Sequence, residues 1–417
     1  MMSENSTSMR PAETITSDLE MQIRVDGDDY TPPVGRTPGT VEVPKCERRQ
    51  FVLTGLNKKN VEAYKKELDR LQVRHVRLEG ITNAQLKTYV RAGLLADVTS
   101  LEFRYCRKLK NISPLAELQN LVSLRLDCCK LMDITPLANL QNLTSLDLGG
   151  CGRLKQILPL VSLPNLAMLR LCFCYKLTDI TPLGNMQSLT SLDFGWCKKL
   201  TDIMPLENLH NLTSLDFGWC ERLKDITPLT KLQNLTSLSL WACDNLTDFK
   251  PLFALCKLTK LDLSCCTEIR DLQPIVCLPD LANLKLSCCT GIRDIEPIVC
   301  LPNLANLNLS WCASVNNLSP LSRLEKLEIL SVTIPHNDLS FLQDLQQLKE
   351  LSFDDCPNLS DVAPLANLQN LEELRFYDCE AVANEMLAEL AKKLPRCVVE
   401  NNQKDGQCVL ISCGDTA

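Results

Sequence analysis

One sentence of this chain is written twice and begun a third time. Residues 189–211 read LTSLDFGWCKKLTDIMPLENLHN, residues 212–234 read LTSLDFGWCERLKDITPLTKLQN, and LTSLSL follows at 235. A period of this length confines the fold to repeat architectures. A unit so short cannot bury its own apolar face and has to stack on its neighbours. The consensus is L-x-x-L-x-L-x-x-C-x-x-L-x-D-I-x-P-L-x-x-L-x-N, with copies starting at 98, 121, 143, 166, 189, 212, 235, 258, 281, 304, 327, 348 and 371. Most copies have 23 residues; the copy at 121 has 22 and the copy at 327 has 21.

Each half of the consensus predicts an element. L-x-L is a short strand that pairs in parallel with its copies, leucines inward and the intervening residues outward. D-I-x-P-L-x-x-L returns the chain along the other side. In five copies Ser113, Thr135, Thr181, Thr227 or Ser319 precedes the proline. That order predicts an N-cap and a proline at the first position of a one-turn helix or 3₁₀ turn. The expected fold is α/β: a curved, right-handed solenoid of about twelve rungs, with a parallel sheet on the concave face and short turns on the convex face. The copy LEILSVTIPHNDLSFLQDLQQ at 327 lacks both the ladder cysteine and the turn proline of the consensus, so a bend or a gap in the ladders is expected there.

This pattern is identified as a member of the leucine-rich repeat superfamily. The D-I-x-P-L-x-x-L half resembles the short repeats of internalins and of the nuclear regulatory subunit of type 1 protein phosphatase. The C-x-x-L turn resembles the cysteine-containing repeats of F-box proteins. The combination at this spacing is similar to leucine-rich repeat proteins of trypanosomatids, including adenylate cyclase regulators. The resemblance implies a protein-binding scaffold. It also implies two alternatives: a regulatory subunit of a cyclase or phosphatase, and a substrate adaptor of a ubiquitin ligase. No F-box is evident in residues 1–97.

The flanks follow other rules. Residues 1–49, rich in Ser, Thr, Pro and acidic residues, read as disordered, because they offer little apolar surface to offset ordering entropy. Thr31-Pro and Thr37-Pro are candidate phosphorylation sites, or ordinary linker dipeptides. Residues 50–97 alternate strand and helix patterns and read as an N-terminal α/β cap to the array at 98–379. Residues 380–400 carry an amphipathic helix and read as the C-terminal cap; 401–417 read as a flexible tail.

Bulk properties exclude several classes. A net charge of −7 lacks the basic footprint of a nucleic-acid binder. No apolar run approaches membrane-spanning length. The start MMSENSTSMRPAE lacks the basic and apolar regions of a secretory signal. The 23 cysteines therefore read as reduced thiols of a cytoplasmic protein, monomeric and without disulfides. Twelve of them, from Cys106 and Cys129 to Cys356 and Cys379, hold one repeat position. One thiol per rung does not build a tetrahedral metal site, so each reads as a small buried group bonding weakly to backbone. No cofactor or metal is expected. His75, His210 and His336 fall at unrelated repeat positions and suggest no catalytic set, and LGGCGRLK at 148–155 lacks phosphate-loop spacing, so the chain reads as no enzyme. The N-L-T sequons at Asn142, Asn211, Asn234 and Asn245 read as the repeat itself.

The candidate binding residues are aromatic and charged. Trp196, Trp219, Trp241 and Trp311 lie just past the strands, with Phe173, Tyr105 and Tyr377 in the same zone. The residue between strand leucines is Asp147, Asp193, Asp216 or Asp262 in central copies; Arg104, Arg125 and Arg170 make the N-terminal end basic. Tryptophans beside carboxylates suit a protein partner with a basic segment, held by salt bridges and cation–π contacts. On this reading Asp193/Trp196 and Asp216/Trp219 are not needed by the fold, and replacing Trp196, Trp219 and Trp241 together by alanine leaves the secondary structure intact. The competing reading is that these rings stack to fill space and that the charges are a solvated face.

Overall fold

The structure, a computed structural model, describes residues 12–17, 19, 21–25, 35–37, 39–44, 49–53, 56–126, 130–402 and 408–411. They divide into two compact units, residues 1–193 and 194–417.

In the first unit the parallel order runs Arg49–Leu53, His75–Glu79, Ser100–Arg104, Ser123–Leu126, Ser145–Asp147, Met168–Arg170 and Ser191–Asp193. Leu101, Leu124, Leu146, Leu169 and Leu192 lie in register and are buried. Two helices take the return side at the N-terminal end. Helix α1, Val61–Arg70, buries Val61, Tyr64 and Leu68. Helix α2, Asn83–Arg91, starts from a Thr82/Gln85 capping box and lies beside the 3₁₀ turn Ser113–Glu117.

The segment read as disordered carries strands. Met21–Val25 pairs antiparallel with Arg49–Leu53 and takes Gly35–Arg36 on its other side. Ala12–Ser17 pairs antiparallel with Gly39–Pro44. The bulk composition masked short β-branched runs, Thr14-Ile15-Thr16 and Val41-Glu-Val43, which suit a pleated ladder. Thr37 is buried; its hydroxyl donates to the Leu19 carbonyl and accepts from the Met21 N–H. That is the bland alternative to a modification site; Thr31 lies outside the described residues.

In the second unit the parallel order is Ser214–Asp216, Ser237–Ser239, Lys260–Asp262, Asn283–Lys285, Asn306–Leu309, Ile329–Val332, Glu350–Asp354, Glu373–Tyr377 and Val398–Asn402. Helix α3, Asn384–Lys393, precedes the last of these. Cys408–Ile411, inside the expected flexible tail, adds an antiparallel strand to it. Phenylalanine replaces the second strand leucine in places, and Phe194 stacks on Phe217 with centroids 5.5 Å apart.

The turns differ from expectation in one respect. The 3₁₀ turns begin at Ser113, Thr135, Thr181, Thr227 and Ser319, with the proline just inside, but no Ser or Thr side chain caps them. The cap is the residue two positions earlier, an aspartate in most copies and Asn111 or Asn317 at Ser113 and Ser319. Asp133 Oδ1 accepts the Thr135 N–H at 2.8 Å, and Asp179, Asp202, Asp225, Asp271 and Asp294 each accept from two residues on. The short side chain closes the turn locally and frees the hydroxyl residue from that job.

These caps give the fold an acid sensitivity. Hydrogen bonds from Thr135, Thr181 and Thr227 hold Asp133, Asp179 and Asp225 below the usual carboxylate range, and bonds from Ser340 do the same for Asp338. A carboxyl depressed on folding contributes stability that is present above its unfolded value, about 3.9, and is lost as pH falls through the folded value. The urea midpoint is therefore expected to be flat from pH 7 to 5 and to fall below about pH 4. An unchanged midpoint at pH 3 would contradict the assignment.

The irregular copy leaves no gap. Ile329–Val332 pairs with Asn306–Leu309 on one side and Glu350–Phe353 on the other. Elsewhere in this unit a backbone N–H near the strand end donates to the next rung's carbonyl, as Cys288 does to Ser310. Here the Trp311 N–H donates to Thr333 Oγ1 at 2.7 Å, and that hydroxyl donates to the Asp354 carbonyl at 2.5 Å. One side chain completes the ladder where backbone is short. The turn survives without proline, because Asp338 Oδ1 accepts the Ser340 N–H at 2.9 Å.

Candidate functional site

Five of the expected aromatics, Tyr105, Phe173, Trp196, Trp219 and Trp311, sit at a strained backbone position. Just before each described ladder cysteine the chain enters the left-handed region: φ is +60° at Phe173, +64° at Trp196, +59° at Trp219 and +63° at Trp311. Tyr105, Ala242, Cys265, Cys288, Asp355 and Asp378 share it, and Gly150 alone holds it as glycine. The turn lets the next residue, the cysteine, point inward. Its thiol donates to a carbonyl of the preceding rung, as Cys220 does to Phe194 at 3.3 Å and Cys266 to Leu240 at 3.1 Å. Burial pushes the Cys266 thiol up to about 12 and the Cys312 thiol to about 11. The side chain before the cysteine points out, at the edge of the strand face.

In the second unit three of the four tryptophans collapse together. Trp196 and Trp219 stack with centroids 4.3 Å apart and planes 5° from parallel. Trp241, one residue earlier in its rung, meets both edge-on at 6.5 and 5.5 Å. Gly218 makes room: a Cβ there would lie 3.2 Å from the Trp241 ring. Lys198 Nζ lies 5.1 and 5.3 Å from the Trp196 and Trp219 centroids and pairs with Glu221 at 2.5 Å. The cation–π position expected for a partner's lysine is filled by the chain's own. Trp311 differs: it is 40% exposed and lies outside that cluster.

The aspartates also have structural work. Asp216 Oδ1 accepts the Gly218 N–H at 2.7 Å and Asp262 Oδ1 accepts the Ser264 N–H at 2.9 Å. Asp262 also lies 3.8 Å from Lys285 Nζ. Asp216 is thus used by the fold, contrary to expectation; its place two residues before a tight turn is the signal that shows it.

In the first unit charge alternates rung by rung. Glu102 meets Arg77 at 2.9 Å, Arg104 at 2.5 Å and Arg125 at 3.5 Å. Asp147 meets Arg125 at 3.2 Å and Arg170 at 3.5 Å, and Asp193 meets Arg170 at 3.0 Å. Although burial opposes its charge, the Asp147 and Asp193 carboxylates hold Arg170 above its ordinary value. Arg125 is shared between Glu102 and Asp147, and Arg170 between Asp147 and Asp193. Phe173 is 38% exposed and meets Tyr175 edge-on at 6.2 Å.

At the C-terminal end of the second unit the balance is acidic. Asp354 Oδ2 accepts the Ser310 hydroxyl at 2.6 Å, next to Trp311. Burial pushes the Asp354 carboxyl up, and nearby Asp378 adds to it. The Asp355 N–H donates to the carbonyl of exposed Tyr377. Arg375 is shared among Glu350, Glu373 and Glu400.

The sequon amides are occupied: Asn142, Asn234 and Asn245 each donate Nδ2 to a carbonyl of the preceding rung. Among the described residues no group of His, Cys, Asp and Glu could hold a metal ion, and no helix is long and apolar enough to cross a membrane.

Comparison with known proteins agrees with this geometry. The model of Zer-1-like leucine-rich repeats matches residues 203–272, and that of the BspA-type leucine-rich repeat region matches residues 309–403. An internalin, InlF of Listeria monocytogenes, is 27% identical with a TM-score of 0.59, covering 74% of this chain and 87% of its own. InlJ of the same organism, whose functional domain includes a cysteine ladder, is 19% identical with a TM-score of 0.48, over 82% and 71%. The Leptospira interrogans leucine-rich repeat protein LIC12759 is 19% identical with a TM-score of 0.44, over 83% and 98%. No curated protein sequence matches the chain.

Proposed function

The chain is a leucine-rich repeat protein, and from that premise we propose that it is a non-catalytic scaffold whose strand face receives a basic segment of a protein partner. Leucine-rich repeat proteins generally mediate protein–protein interaction. The observation that carries the reading is Trp311, a large ring 40% exposed beside the Ser310–Asp354 pair. Exposed tryptophans rimmed by polar groups are typical interface anchors. The carboxylates of Asp354, Asp355 and Asp378 favour an arriving lysine or arginine, and a cation there would relieve the buried, upward-shifted Asp354. Trp196, Trp219 and Trp241 then support the face from within. In this reading the protein works in the cytoplasm, where its many thiols stay reduced.

Affinity capture from the native source followed by mass spectrometry tests this directly. Trp311→Ala is expected to weaken capture of the principal partner about tenfold or more, roughly 1.4 kcal/mol, while the melting temperature stays within a few degrees of wild type. Raised salt should weaken capture as well. Undiminished capture by Trp311→Ala would place the interface elsewhere.

A further inference from the structure

Besides the buried cysteine ladder, the second unit holds an outer pair of thiols. Cys265 and Cys288 occupy the same repeat position in adjacent rungs, each directly before a ladder cysteine. Their backbones superpose in kind: φ is +59° at one and +60° at the other. The strands leading to them are parallel and in register, Asp262 opposite Lys285. The Cys265 N–H donates to the Ser287 carbonyl at 2.6 Å, so Cys265 lies against the residue preceding Cys288. Both side chains are partly exposed, whereas Cys266 and Cys289 beside them are buried.

We propose that Cys265 and Cys288 form an oxidisable dithiol site, closed to a cross-rung disulfide by a hydroperoxide. Neighbouring strands in a sheet lie about 4.8 Å apart, inside the range of about 4.4–6.8 Å between the Cα atoms of disulfide-linked cysteines. Burial and the neighbouring Cys288 thiol push the Cys265 thiol up, while the Trp241 indole favours its thiolate; the Ser287 hydroxyl lies 3.7 Å from Cys288 Sγ. Earlier in the same column Trp196 and Trp219 hold this position with rings 4.3 Å apart, which shows how closely it approaches its copy.

The chemistry balances with hydrogen peroxide as oxidant. The thiolate of one cysteine attacks a peroxide oxygen, the O–O bond breaks, and hydroxide leaves to take up a proton as water. The resulting sulfenic acid is attacked by the second sulfur, the S–O bond breaks, and the hydroxyl leaves as a second water with the second thiol's proton. Two thiols lose two electrons and two protons; one peroxide becomes two waters. The ladder cysteines are spared because their sulfurs are buried, and burial pushes Cys266 up to about 12, leaving almost no thiolate near neutral pH.

Peptide mapping tests the pairing. Trypsin places Cys265 in the peptide 261–270 and Cys288 in 286–293, with Cys277 in the separate peptide 271–285. The full chain, reduced, desalted and treated with a few equivalents of hydrogen peroxide, is alkylated and mapped without reduction. The expected result is a cross-linked species of 261–270 with 286–293 that dithiothreitol dissolves. It should be lost in Cys265→Ser and in Cys288→Ser, while a Cys256→Ser/Cys277→Ser/Cys300→Ser variant retains it. Because these cysteines are partly or fully exposed, circular dichroism should match wild type in all three. A cross-link that persists in Cys265→Ser would assign the bond to Cys266 and overturn the proposal. So would sulfinic or sulfonic acid on these peptides without a cross-link, or pairing confined to Cys277 and Cys300.

Discussion

Replacing Phe217 by alanine is expected to cost about 3–5 kcal/mol of stability, the range for deleting a fully buried aromatic ring. The side chain is fully buried and lies face to face with Phe194, planes 7° from parallel. No neighbour in a ladder of identical rungs can swing in to fill the space, because each leucine is tied to its own strand. A stacked array couples mainly through nearest neighbours. The loss should therefore appear as an early partial transition in urea rather than a uniform shift of one midpoint. Phe217→Leu restores the residue used at Leu240 and Leu263, and should cost less than about 1.5 kcal/mol. An alanine variant within 1 kcal/mol of wild type would mean the rung is not packed as described.

Trp219→Ala should be the most damaging change at the strand-face edge, about 2–3 kcal/mol. The ring supplies partial apolar burial and aromatic contacts worth about 0.5–1.5 kcal/mol each, with Trp196 on one face and Trp241 at its edge. Replacing all three tryptophans is then no silent change, and near-ultraviolet circular dichroism should report it even where the far-ultraviolet signal holds. Glycine separates the two contributions at this residue. Trp219 has φ of +59°, a region that costs a side-chain-bearing residue about 1 kcal/mol and glycine nothing. Trp219→Gly should accordingly be more stable than Trp219→Ala by up to about 1 kcal/mol. The reverse order would remove the strain argument.

These expectations mark where the sequence speaks clearly. The strand leucines, the ladder cysteines and the D-I-x-P turns were legible because a repeat states each position many times, and every copy votes for the same environment. The strands at Ala12–Ser17 and Gly39–Pro44 were not, because they occur once, in a segment whose composition resembles a linker. Asp216 was misread for a related reason. Its outward place on the strand is set by the two-residue alternation, but its bond to the Gly218 N–H depends on the tight turn that follows. Trp196, Trp219 and Trp311 lie just past their strands, at the left-handed turn. Whether rings at one repeat position meet or stand apart depends on the rung between them: Trp241 is shifted by one residue and closes the trio, while Trp311 has the short copy beside it.

That short copy bears on how such a chain can change over generations. Two residues are missing from it relative to its 23-residue neighbours, yet the sheet runs through it because Thr333 lends a hydroxyl in place of a peptide group. A lineage built this way can lose or gain residues within one copy without a coordinated change in the others, provided a threonine or serine falls at the junction. Length variation is then absorbed locally and inherited as a harmless irregularity, and each such scar is a place where the surface differs from the pattern around it.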